Sequence, residues 1–187
     1  MLPADSLREH LHAAKPALRG WLHLVAAPVA GVATILLAVL APSGLRIPLV
    51  LFALTTILLF SVSAVYHVGS YSPRVTSMLQ RWDHANIFLV IAGSAAPFAV
   101  GLLGPGPARS LLAVLWLGAV GGAVVRLAWV RAPRWLFVPM YLALGWASAM
   151  FLPGFLSSQA LSDARQMWVL GLILFGGALY TVGAGVF

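Results

Sequence analysis

Two short stretches hold side chains able to do chemistry in an otherwise apolar chain. Phe60-Ser-Val-Ser-Ala-Val-Tyr-His67 places Ser63 and His67 at i, i+4, so a helix would carry both on one face. Arg81-Trp-Asp-His84 places Asp83 at the edge of the next apolar stretch. The other acidic residues are Asp5 and Glu9, near the N-terminus, and Asp163, in a predicted loop. An ionisable group at membrane depth is costly and calls for a reason. His67 closes one apolar stretch, Asp83 opens the next, and the connection between them is short. Antiparallel neighbours would therefore bring a His, an Asp and a Ser to one depth. His ligates zinc, Asp orients or deprotonates a water, and Ser donates a hydrogen bond to a developing oxyanion. Plainer readings stand beside this one. Asp83 fits the N-terminus of a helix, favoured by the dipole and by Arg81. His67 fits an interfacial ring bonded to the turn below it. One His does not make a metal site, because catalytic zinc takes three protein ligands. His10 and His12, at i, i+2, point apart and read as surface residues. His23 begins the first apolar stretch at the same end and could approach the same cluster, with an interfacial structural role the favoured reading. His84 follows Asp83 but faces elsewhere.

The elements that must position these residues are membrane helices. The chain has 187 residues, 61% hydrophobic and only 8% charged. A soluble domain carries about 25% charged residues. Too few charges remain to cover a water-facing surface, which excludes soluble enzymes, nucleic-acid modules and disordered chains. Cysteine is absent, so disulfides, thiolate chemistry and Cys-ligated metals are excluded. Stretches free of Lys, Arg, Asp and Glu run over residues 20–45, 47–73, 84–108, 110–125, 135–162 and 166–187. A helix needs about 20 apolar residues to cross a bilayer. Only the fourth stretch is short, and Arg126-Leu-Ala-Trp-Val130 extends it with a snorkelling Arg126. The prediction is an all-α helical bundle of six spans. Continuous rather than alternating apolar runs argue against a barrel. Pro42-Ser-Gly44, Gly104-Pro-Gly-Pro107 and Pro153-Gly154 mark turns or span ends. Pro28, Pro97 and Pro139 fall inside spans, where membrane helices tolerate them.

The cations set orientation. With the N-terminus cytoplasmic, Arg8, Lys15, Arg19, Arg74, Arg81, Arg126, Arg131 and Arg134 lie inside, against Arg46, Arg109 and Arg165 outside. That bias predicts an N-inside, multi-pass protein of the cell membrane. The net charge of +7 thus marks orientation, and no nucleic-acid partner is expected; membrane lipids are. Trp21, Trp82, Trp129, Trp135 and Trp168 fall near span ends, as an aromatic belt requires. Residues 1–19 read as a cytoplasmic amphipathic helix, with Ser6 and Glu9 at capping-box spacing and Pro16 interrupting late. A cleaved signal peptide is the competing reading. Residues 20–187 form the transmembrane domain.

At these residues the sequence resembles the hemolysin III family, the bacterial branch of the progestin and adipoQ receptor group. Ser63-Ala-Val-Tyr-His67 matches the family's Ser-x-x-x-His motif. Arg81-Trp-Asp-His-Ala-Asn-Ile-Phe-Leu-Val-Ile-Ala-Gly-Ser-Ala-Ala-Pro-Phe98 matches its third-span signature. Arg19-Gly-Trp-Leu-His23, Tyr141-Leu-Ala-Leu-Gly-Trp146 and Gly176-Gly-Ala-Leu-Tyr-Thr-Val-Gly183 resemble its first, fifth and sixth spans. The resemblance implies a seven-helix protein with a zinc near the cytoplasmic face. By it, His67 would be a metal ligand, Asp83 would hold a water on the metal, and Ser63 would support the site. Two further ligands would come from a His-x-x-x-His pair on a seventh span. The sequence, which ends at Phe187 within a sixth apolar stretch, has neither, so the expectation is a fragment, with a natural truncation as the alternative, that by itself holds zinc weakly or not at all.

The resemblance implies a zinc-dependent lipid amide hydrolase of the ceramidase type for the complete protein. A pore-forming or cytolytic protein is the alternative, for which a homo-oligomer is needed. A third is a receptor-like protein with a structural metal.

Overall fold

The computed structural model of the chain describes residues 4–129, 134–157 and 162–186; for 4–17, 134, 163, 166 and 184–186 it describes the backbone alone. The side chains of Ser6, Arg8, Glu9, His10, His12, Lys15 and Arg134 therefore lie outside the described residues, as does all of Arg131. Every regular element among the described residues is helical. The order is α1 (Ala4–Leu40), α2 (Ser43–Val68), α3 (Pro73–Leu102), α4 (Pro105–Ala128), α5 (Arg134–Trp146), a 3-10 segment (Ala147–Phe151), α6 (Leu152–Leu156) and α7 (Asp163–Val186).

The apolar stretches become helices for the reason the composition gave. In lipid each backbone N–H and C=O must find its partner within the segment. Five stretches are long and apolar enough to cross a membrane: Leu18–Leu40, Ser43–Val68, Pro73–Leu102, Pro105–Ala128 and Trp135–Leu156. The sixth expected span corresponds to α7, whose apolar part, Met167–Gly183, is shorter.

Three local expectations are corrected. The N-terminal segment is not a separate helix, since α1 runs unbroken through Pro16 into the first span. Ala13-Ala14 and Ala17-Leu18 flank that proline, and strong helix formers on both sides outweigh one lost hydrogen bond. Second, α3 begins at Pro73, well before Asp83. Asp83 is therefore an interior helix residue, and the helix-capping explanation for it fails. Third, Pro153-Gly154 does not end the fifth span. That span bends through the 3-10 segment, and Pro153 sits in the first turn of α6, where its missing N–H costs nothing.

The bundle is built around α3, which packs against α2, α4 and α5, while α1 packs chiefly on α2 and α7 on α5 and α6. The buried stripe of α3 is small: Ala85, Ala92, Ala96 and Ala99 are all buried. Small residues let helix backbones approach closely, which is the main way helices associate in lipid. Phe88 fills the remaining space on that stripe, tilted against Tyr141 at 4.4 Å and edge-on to Phe137 at 6.3 Å. Leu111, Leu115 and Ala119 on α4 close the core. The opposite surfaces are apolar too. Leu22, Val25, Val29, Val32 and Leu36 along α1 are all exposed. Such a face is a liability in water and a solvated surface in a bilayer.

Candidate functional site

The structure gathers the polar residues at one end of α1, α2 and α3. The N-terminal part of the first span lies beside the C-terminal end of α2, because a short turn at Ala41-Pro42 folds α1 back on α2. Arg46 Nε donates to Ala41 O at 3.2 Å and Leu45 N to Pro42 O at 2.9 Å, which holds that turn. At the far end, Gly20 presses on the backbone of α2. A Cβ at Gly20 would stand 2.9 Å from His67 Cβ and 3.2 Å from its carbonyl carbon. Only glycine permits that approach.

Ser63 is 2% exposed, and its Oγ lies 2.6 Å from His23 Nδ1. The His23 ring also meets Phe60 edge-on at 5.3 Å. One turn further along α2, His67 is half-buried with its ring tilted on Tyr66 at 4.6 Å. Its Nε2 is buried and has no hydrogen-bond partner. Asp83, half-buried on α3, acts through its charge on His23, Tyr66 and His67. Asn86 stands one turn after Asp83 and is fully buried. Its Nδ2 donates to Leu58 O of α2 at 3.4 Å, which ties the two helices together at this level.

Ser63, His67 and Asp83 therefore lie toward the same end of the bundle. His84 also acts on His67 through its charge; its Nδ1 lies 2.6 Å from Gln80 O, one turn back, and its carbonyl accepts from Tyr141 Oη at 3.0 Å. Sequence reasoning underrated His23 by reading it as interfacial. A signal was available, since His23 and Ser63 lie at nearly equal distances along the chain from the Ala41-Pro42 turn, which pairs them across an antiparallel hairpin.

The orphaned His67 Nε2 suits a ligand atom. Yet among the described residues no group of three His, Cys, Asp or Glu is close enough to hold a metal. His67 supplies a single candidate donor, and the described residues alone do not form a set of three.

Next to this cluster an apolar cavity of about 510 Å³ continues into the bundle. Its wall starts at Leu59, one turn from Ser63, and at Ile87, one turn from Asp83, and runs along α3 to Phe98. The facing wall comes from Gly145 and Ser148 and from Ile173, Gly177 and Tyr180 of α7. The catalytic candidates do not line the cavity themselves; they adjoin its end.

Residues 11–187 match the family described as Haemolysin-III related. The chain belongs to that family. It is 30% identical over 133 residues to the hemolysin-3 homolog of Bacillus subtilis (strain 168), a match covering 71% of this chain and 59% of that protein. It is 29% identical over 133 residues to hemolysin-3 of Bacillus cereus, covering 71% of this chain and 58% of that protein. The chain thus spans less than two thirds of the length of the curated relatives it matches. No solved structure matches. Family membership and the apolar helices together make this haemolysin-III-related chain a multi-pass integral membrane protein.

Proposed function

We propose that this chain is the larger part of a zinc-dependent hydrolase acting on lipid amides, in the manner of a ceramidase. The observation that carries the reading is the juxtaposition of Ser63, the orphaned His67 Nε2 and Asp83 at the end of an apolar cavity. An amphiphile fits that arrangement: the acyl chain against Leu59, Ile87 and Phe98, the polar amide at the cluster. Zinc, when bound, would polarise an amide carbonyl and lower the pKa of water. His67 would be one of its ligands, and the remaining ligands must come from outside the described residues. Asp83 accepts the proton of the attacking water and returns it to the leaving amine. Ser63 donates a hydrogen bond to the oxygen on which charge develops. The cavity wall excludes bulk water, which strengthens both interactions.

The test is fatty-acid release from ceramide by the complete protein in lipid vesicles, with and without a chelator. Metal-dependent release that disappears in His67→Ala and Asp83→Asn is the expected result. Unchanged turnover in either variant refutes the mechanism.

A second reading is lysis through a pore, favoured by the names of the two Bacillus relatives. It requires a homo-oligomer, because one bundle of six or seven helices offers little room for an aqueous path. Dye leakage from vesicles that is indifferent to chelator, with no fatty acid released, would select this reading over the first.

A further inference from the structure

Several hydroxyl groups inside the helices of this protein bond back to their own helix, while the buried Thr56 hydroxyl has no partner. Thr34 donates to Ala30 O at 2.7 Å, Thr55 to Leu51 O at 3.0 Å, Ser110 to Gly106 O at 3.3 Å and Thr181 to Gly177 O at 2.8 Å. This is the ordinary position for a helical hydroxyl. Ser63 behaves differently. Its Oγ pairs with His23 Nδ1 at 2.6 Å, on another helix and 40 residues away. The Ser63 side of the pair is buried and the His23 side half-buried, and two contacts flank it: Gly20 against the backbone of His67 and Phe60 against the His23 ring.

A serine hydroxyl has one proton to give and two lone pairs with which to accept. If Ser63 gave its proton to His23, it would have none left to donate to a substrate oxygen. If His23 carries its proton on Nδ1 and donates, the Ser63 proton stays free. We propose that His23, on the first span, is a positioning residue of this site: it donates from Nδ1 to Ser63 Oγ and so leaves the Ser63 proton to point toward the His67–Asp83 side. The geometry stands by itself, whereas the consequence for catalysis rests on the hydrolase reading. The N-terminal span thereby becomes part of the site, although it carries none of the Ser-x-x-x-His or third-span residues.

The experiment has two arms, both on the complete protein. The first is ¹⁵N NMR of the imidazole nitrogens in vesicle-like discs, with His23 assigned by its loss in His23→Asn. The expected spectrum shows Nδ1 protonated and Nε2 bare, with the pattern altered in Ser63→Ala. A bare Nδ1 with protonated Nε2, or a spectrum indifferent to Ser63→Ala, overturns the proposal. The second arm is turnover of ceramide. The Asn side-chain amide reaches the position of Nδ1, so His23→Asn should keep kcat within a few-fold. His23→Leu should lower kcat about 10–100-fold, the range for groups that orient a site, with KM unchanged. Equal kcat in His23→Leu and the parent overturns the catalytic role. If the parent itself shows no turnover, the hydrolase reading fails and the spectrum alone decides the hydrogen bond. If His23→Leu fails to fold, the spectra of the parent and Ser63→Ala still decide it.

Discussion

The contact between Gly20 and His67 is where α1 is fixed to the site, and it offers a sharp perturbation. A methyl group at Gly20 would stand 2.9 Å from His67 Cβ and 2.9 Å from Val68 Cγ2. Carbon atoms pack at about 3.5–4.0 Å, so α1 must retreat by about 0.6 Å at this point. One turn along α1, the same retreat would lengthen the 2.6 Å His23–Ser63 hydrogen bond to about 3.2 Å, the outer edge of good N–H···O geometry. Overpacking of this kind costs about 1–3 kcal/mol. Replacing a helical Gly by Ala returns about 1 kcal/mol through backbone entropy. Gly20→Ala should therefore be destabilised by about 0–2 kcal/mol, the difference between those two effects.

Gly121 supplies the control. It lies inside α4, and a Cβ there meets nothing within 4 Å. Gly121→Ala should gain up to about 1 kcal/mol from propensity alone. The assay is reversible unfolding of both variants in mixed detergent, with the His23 imidazole spectrum recorded on each. A Gly20→Ala protein as stable as Gly121→Ala, with an unaltered His23 signal, would refute the close approach of α1 and α2.

Further outcomes follow from other contacts. Phe88→Ala, at the centre of the α3 core, should lose on the order of 2 kcal/mol in the same unfolding assay. That is below the loss in a soluble core, because lipid and not water surrounds the separated helices. Tyr141→Phe removes a hydrogen bond to His84 O and should cost about 0.6 kcal/mol, the average for such bonds in a membrane protein. Tyr180→Phe should be neutral or stabilising in that assay, because its buried hydroxyl has no partner to lose. In the complete protein, Asp83→Asn should retain bound zinc, measured by metal content, and lose turnover, while His67→Ala should lose both.

Much of the architecture was legible in the sequence because membrane solvation leaves few choices. Continuous apolar runs had to be helices, and their charge-free limits located them. What the runs did not carry was the behaviour of helices beyond the apolar stretch. α3 extends back from Asp83 to Pro73 because Arg74, Gln80 and Arg81 are acceptable helix residues outside lipid; absence of charge marks the membrane, not the helix. The same confusion separated residues 1–19 from the first span. The bend at Ala147–Phe151 was hidden for a different reason, since a 3-10 turn leaves no trace in hydropathy. For the site, the i, i+4 spacing of Ser63 and His67 and the short link to Asp83 were enough to anticipate the cluster. The approach of His23 to the cluster was open in the sequence but its pairing with Ser63 was not, because that partner is set by the register of the α1–α2 hairpin, and a periodicity argument treats each helix separately.

That register explains why chemistry at the end of a span is physically reasonable. A charged or strongly polar group deep in lipid is costly, but the cluster sits where α1, α2 and α3 approach the interface. Ser63, buried at 2% exposure, has its oxygen paired with His23, so its burial is compensated by a bond to a neighbouring span. Asn86 ties α3 to α2 at the same level through Leu58 O. Hydrogen bonds between neighbouring spans thus fix the relative heights of the three helices, while the small residues of α3 and Gly20 fix their separations. Beyond the cluster the lining turns apolar at Leu59 and Ile87 within a single turn. An amphiphile entering from the bilayer would keep its chain in an apolar medium throughout and would exchange water only at its polar group. On the proposed reading, the protein's binding energy is then concentrated at the bond to be broken.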